Sequence, residues 1–260
     1  MPRFAANLSM MFTEWAFLDR FAVAAEAGFD AVEFLFPYDH PVDAVARALA
    51  DNGLTQALFN LPAGDFAAGE RGLAALTGRE ADFRASLATA LPYVEATDVG
   101  KIHCMSGHAD PADPAARATY ASSLALAAET FGPLGVEVLV EPINGRDMPG
   151  YFMNDFARAA ALIDELGLPN LRLQFDMYHR QILHGDVTAG FRALQPIVAH
   201  VQIASVPGRH EPDGEELRYD FLFGELDRLG CAGFVGCEYR PRAGTLEGLG
   251  WFAPWRRAEI

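Results

Sequence analysis

Short apolar runs recur along the chain, each bounded by glycine, proline or a polar cluster. Between them, apolar residues fall at helical rather than alternate spacing. Residues 4–7, 31–34, 56–60, 101–104, 136–141, 171–176, 197–203 and 234–238 are rich in β-branched and aromatic residues and read as strands. After the first run, Trp15, Leu18, Phe21, Ala22 and Ala25 form one apolar stripe, with Thr13-Glu14 placed to cap the helix and Gly28 to end it. Further helices are predicted over 42–51, 80–96, 114–131, 187–194 and 219–229. Another starts at a cap on Asn154 or Asp155 and is closed by Gly167. Strands that alternate with helices imply a parallel sheet. Eight such units in 260 residues imply a closed α/β barrel, a (β/α)8 TIM barrel forming a single domain over 1–260. The rival, an open doubly wound sheet, would carry a GxGxxG turn after its first strand, and none is present.

Two stretches lie outside the alternation. Residues 61–78 are rich in Gly and Ala and carry Asp65, Phe66, Glu70 and Arg71. A loop of this length after a strand is expected to act as a lid over the barrel mouth. The tail, about 240–260, carries Trp251, Phe252 and Trp255. It either buries against a second copy in a homo-oligomer or closes the last helix layer of the barrel.

Composition narrows the function. At 51% hydrophobic and 21% charged, the chain has the makings of a large core. A formal charge of -15 repels phosphate backbones, so nucleic acid is not an expected partner. No apolar run is long enough to span a membrane and Met1-Pro-Arg-Phe4 begins no signal peptide, so a cytoplasmic protein without membrane partners is expected. Cys104, Cys231 and Cys237 are odd in number and form no CxxC, which suits reduced thiols. Cys237 should face the helices.

Four polar groups end four consecutive strands: Glu141, Asp176, Gln202 and Glu238. Alone, each could be a solvated terminus, but the C-terminal strand ends of such a barrel form one mouth. Three carboxylates there repel unless a cation neutralises them, and an oxygen-rich donor set favours Mg²⁺ or Mn²⁺. His179 lies three residues beyond Asp176. His200 shares the phase of Gln202 and should face inward one layer deeper. Arg209 and His210 lie in the loop after the seventh strand. Arg209 is either suited to grip a substrate carboxylate or an ordinary surface residue. Glu137 and Arg172 precede Glu141 and Asp176 by four residues each and are expected to pair deep in the barrel.

Several blocks carry a resemblance. Phe4-Ala-Ala-Asn-Leu-Ser-Met10, Val32-Glu-Phe-Leu-Phe-Pro-Tyr38, Asn60-Leu-Pro-Ala-Gly-Asp65, Ala68-Gly-Glu-Arg-Gly72, Val140-Glu-Pro-Ile-Asn144, His200-Val-Gln-Ile-Ala204, Arg209-His-Glu-Pro212 and Gly236-Cys-Glu-Tyr239 resemble the hydroxypyruvate isomerase family, which includes 2-oxo-tetronate isomerases and belongs to the xylose-isomerase-like barrels. Cys104-Met-Ser-Gly-His108 departs from the pattern. The resemblance implies an aldose–ketose type isomerase without an organic cofactor. It would convert hydroxypyruvate to 2-hydroxy-3-oxopropanoate through a metal-stabilised enediolate, or perform the same chemistry on 2-oxo-tetronate. Glu141 and Glu238 would move the proton, and Glu141, Asp176, Gln202 and Glu238 would surround a divalent ion. His179, Arg209 and Glu70 would bind the 2-oxo acid. Many relatives in the wider superfamily carry His where Gln202 stands, which implies a weakly held ion here. More distant readings are a sugar epimerase, a family 2 AP endonuclease-like protein with a multi-zinc His cluster, and a non-catalytic sugar-acid binder.

Overall fold

The computed structural model describes residues 1–256. Eight parallel strands close in sequence order: β1 (Arg3–Asn7), β2 (Ala31–Phe34), β3 (Thr55–Asn60), β4 (Lys101–His103), β5 (Glu137–Val140), β6 (Leu171–Asp176), β7 (Val198–Ile203) and β8 (Phe234–Cys237), with β8 pairing back onto β1. The helices are α1 (Arg20–Glu26), α2 (Val42–Asp51), α3 (Glu80–Thr97), α4 (Pro114–Phe131), α5 (Phe156–Leu166), α6 (Met177–His184), α7 (Val187–Leu194) and α8 (Tyr219–Arg228). The barrel and its order agree with the sequence reading.

Strand alternation divides the core in two. Outward residues such as Phe4, Val32, Val138 and Val235 pack under the helices in one continuous apolar shell. Inside, Ala5, Ala31, Ala57 and Phe234 form a small separate cluster. Above it the inward positions turn polar. Glu33 leaves no room for a side chain on β8, because a Cβ on Gly236 would lie 2.2 Å from one of its carboxylate oxygens and 2.4 Å from the other.

Some local expectations are corrected, and one open alternative is decided. The first helix starts only at Arg20, after a 3-10 turn over Phe17–Asp19 without a side-chain cap. Glu14 instead accepts hydrogen bonds from the Thr245 amide and hydroxyl, tying the first loop to the tail. Helix α6 follows β6 directly and was not foreseen; Asp176 is its N-cap, accepting from Tyr178 N at 2.7 Å. Asp155, not Asn154, caps α5 by accepting from Arg158 N. Glu137 and Arg172 do pair, at 3.8 Å, but their side chains are 36% and 30% exposed. They begin their strands, so they lie at the rim where water enters rather than deep inside.

The tail closes the helix layer. A 3-10 segment over Leu249–Trp255 stacks Phe252 on Phe29 at 4.1 Å and sets Trp251 and Trp255 against Phe4 and Phe223. The part of the tail expected over 257–260 lies outside the described residues. The 61–78 loop has an exposed tip and an anchored second half, with Gly72 bridged to Ser106 and Ala75 N bonded to Ser106 O. Cys104 and Cys237 are buried and Cys231 is partly so. No helix among the described residues is long and apolar enough to cross a membrane.

Candidate active site

Residues at the C-terminal ends of the strands build the site in two tiers. The lower tier is a buried network centred on Glu33. Its carboxylate accepts from Asn7 Nδ2 at 3.0 Å and Gln202 Nε2 at 2.8 Å and pairs with His200 Nε2 at 2.7 Å. Gln202 Oε1 accepts in turn from Gln174 Nε2 at 2.6 Å. These inward positions belong to β1, β2, β6 and β7, and each donor satisfies a group that would be costly to bury alone.

The upper tier gathers Glu141, Asp176, His179 and Glu238, which offer ligand atoms all within 4.8 Å of one another. Arg209 lies across them. Its Nη2 contacts Glu238 Oε2 at 2.5 Å and Asp176 Oδ2 at 3.8 Å, and its Nη1 contacts Asp147 at 3.1 Å. Arg209 holds a left-handed backbone, φ +56°, an uncommon state for a non-glycine residue.

Burial dominates the electrostatics. It raises Glu141 well above the ordinary carboxylate range, and the charges of Glu238 and Asp176 add to the effect. Burial lifts Asp176 to about 6 and Glu238 to about 8, with Arg209 opposing both. His103 approaches Glu141 to 3.5 Å and is pushed down to about 3 by burial and by His200, so its ring is neutral. His179 is lowered well below its usual value by burial, then by Arg209 and His103.

The tautomer of His179 follows from its neighbour. Asn144 Oδ1 accepts from the amides of Arg146 and Asp147, which turns its Nδ2 toward His179 Nδ1 at 2.6 Å. Nδ1 must therefore accept, and the proton sits on Nε2. That N–H faces Asp176 at 3.6 Å and Glu141 at 3.9 Å. In this state His179 donates to an oxygen in the site rather than ligating a cation, despite its place within the cluster.

Glu141 Oε1 and Asp176 Oδ2 are buried without hydrogen-bond partners. Two orphaned carboxylate oxygens beside Glu238 form a donor set that fits a hard divalent cation. The structure thus brings Glu141, Asp176, Glu238, His179 and Arg209 together. Gln202 lies in the tier beneath, its oxygen directed at Gln174. Glu70 is engaged within its own loop, accepting from Asp65 N and pairing with Arg79.

Sequence reasoning missed Glu33, His103, Asn144 and Asp147. Glu33 was recognisable in principle: the phase argument applied to β5 through β8 also points it inward on β2. Asn144 and Asp147 sit in a loop, where no periodicity indicates direction.

Residues 21–255 match the family described as xylose isomerase-like TIM barrel. The chain is 56% identical to the 2-oxo-tetronate isomerase of Cupriavidus necator, covering 98% of this chain and 99% of that one. It is 43% identical to the hydroxypyruvate isomerase of Escherichia coli, over 98% and 100%. Among solved structures it is similar to one described as an AP endonuclease, family 2, from Brucella melitensis, with a TM-score of 0.97, 52% identity, and coverage of 99% and 100%.

Proposed function

The chain belongs to the xylose isomerase-like TIM-barrel family, and from that premise we propose that it isomerises a small 2-oxo acid bearing a hydroxyl on the adjacent carbon. The substrate is 2-oxo-tetronate or its three-carbon counterpart, hydroxypyruvate. The observation that carries this reading is the meeting of Glu141 and Glu238 beside Asp176 in one buried space.

The chemistry needs a base at the hydroxyl-bearing carbon and an acid at its neighbour. Both carboxyls have a raised affinity for protons and repel one another as anions, so when one gives up its proton to act as base the other stays protonated and can donate. One Glu takes the carbon-bound proton to give a planar enediolate, the hydroxyl proton passes to the former carbonyl oxygen, and a proton returns to the adjacent carbon, so hydroxyl and carbonyl exchange places. Which Glu begins is set by the direction of reaction. His179 directs its Nε2–H at the substrate oxygens. Arg209 balances the carboxylates and contacts the reacting end. Burial excludes water from the exposed carbanion.

A divalent ion such as Mg²⁺ or Mn²⁺ would be held by Glu141, Asp176 and Glu238 and would supply positive charge to the substrate oxygens. Gln202 joins that set only by giving up its bond to Gln174, which fits a weakly held ion. The tip of the 61–78 loop, where Phe66 packs on Phe36, would act as the lid over the mouth. The name carried by the Brucella structure suggests phosphodiester cleavage, but several metal ions would require more His than His179, which groups with these carboxylates among the described residues.

Incubation with either acid in D₂O tests the reading: deuterium enters the carbon-bound positions, a chelator lowers the rate, and the relative rates rank the substrates. Glu141→Gln and Glu238→Gln should each lower turnover by roughly 10²–10⁴-fold with unchanged circular dichroism, the range for loss of one acid–base group. Near-normal turnover in either variant ends the assignment.

A further inference from the structure

Beside the carboxylates, a groove of about 840 Å³ opens at the same end of the barrel. Its position follows from the strands. Asn7 pairs with Glu33 in register, and Ala6 with Cys237, which brings Glu238 alongside Asn7. Each of these three inward residues is followed two positions later by a residue of the groove wall: Ser9, Leu35 and Arg240. The groove therefore stands directly on the β1, β2 and β8 side of the mouth, and Glu238 is the cluster member that adjoins it. Glu238 is also the least enclosed of the four cluster residues, at 9% exposure against 0–4% for the others.

Among the described residues the lining carries one cation and one carboxylate. The carboxylate, Glu14, is already bonded to Thr245 through two hydrogen bonds. The cation, Arg240, is exposed, and its side chain has no hydrogen bond or ion pair among the described residues. Its backbone N donates to Arg209 O at 2.8 Å, so the two arginines adjoin. They differ in availability, since Arg209 is taken up by Glu238, Asp176 and Asp147. Phe36 and Phe66 supply an apolar part of the same lining, packed edge to face at 5.1 Å.

We propose that this groove is the subsite for the carboxylate end of the substrate, with Arg240 gripping the carboxylate while Arg209 stays at the reacting carbons. The inference rests on the 2-oxo acid reading and adds the residue that makes the site select an acid. A guanidinium without a protein partner keeps its donors free for an anion, a local attraction that works against the repulsion of a chain of charge -15. Phe66 comes from the tip of the 61–78 loop, so that loop and the anion anchor line one groove.

The test is Arg240→Ala and Arg240→Lys, with two readouts. The first is turnover of 2-oxo-tetronate, hydroxypyruvate and the neutral dihydroxyacetone. The second is calorimetric binding of pyruvate, a 2-oxo acid with no hydroxyl to isomerise. Arg240→Ala should raise KM for the acids by about ten- to hundredfold, the worth of a charge-assisted hydrogen bond, far more than it changes kcat. The preference for acid over dihydroxyacetone should collapse, pyruvate binding should weaken in parallel, and Arg240→Lys should recover part of both. Wild-type KM and pyruvate affinity in Arg240→Ala overturn the proposal, as does wild-type protein that binds no pyruvate. If the wild type binds pyruvate through Arg240 yet isomerises no acid, the subsite stands and the isomerase reading falls.

Discussion

Glu238 keeps its proton up to about 8 because burial outweighs even the guanidinium of Arg209 on its oxygen. A carboxyl raised in the folded state binds more protons there than in the unfolded chain between the two pKa values, so stability falls as pH rises through that window. His103 and His179 act oppositely, but their contribution is complete above the ordinary His range near 6.5. The expectation is therefore that chelated protein loses thermal stability from about pH 7 to 8, by at most about 1.4 kcal/mol per pH unit for each proton released. Saturating Mg²⁺ or Mn²⁺ should flatten the slope. An equally steep decline with and without the ion would show that the cluster holds no cation. Glu141, Asp176 and Glu238 were legible in the sequence because strand-end carboxylates stand out against apolar runs. The tautomer of His179 was not, because Asn144, which fixes it, acts through the backbone of its own loop.

At the level of the element, periodicity located every strand, and β6, α2, α4 and α7 agree with their predicted bounds. It failed at α6, whose first turn, Met177-Tyr-His179, is buried and whose cap is itself a site residue. Asp176 was read as the end of a strand, and it is also the start of a helix. The phase argument, carried through β5 to β8 but not applied to the site at β1 and β2, left Glu33 out. The same strand geometry makes Gly236 obligatory, because Glu33 is pinned by Asn7, His200 and Gln202 and cannot withdraw from a new methyl group. Gly236→Ala should cost about 1–3 kcal/mol in denaturant unfolding, the usual penalty of overpacking. Adding Glu33→Asp should recover part of the loss. Strictly additive losses would mean that the two side chains do not compete for one space.

Over the whole molecule, the barrel separates two ends with different duties. The carboxylate cluster gathers at one mouth, and the loops entering the strands lie at the opposite end. The aromatic tail, which sequence alone left between oligomer contact and helix layer, packs Phe252 and Trp251 against this chain's own Phe29 and Phe4, so it completes the ring. Sequence could not decide, because an aromatic cluster reads the same whether its partner lies in the same chain or another. The three cysteines are distributed by the same division. Cys104 and Cys237 are enclosed, while Cys231 lies partly open in the turn that enters β8, on the face remote from the carboxylates; burial raises all three thiols, and accessibility separates them. A maleimide dye should therefore mark the native protein once, at Cys231, and three times after denaturation, as mass spectrometry would count. A fluorophore placed there could follow the loss of structure while leaving turnover untouched, whereas rapid double labelling of native protein would mean that the interior breathes.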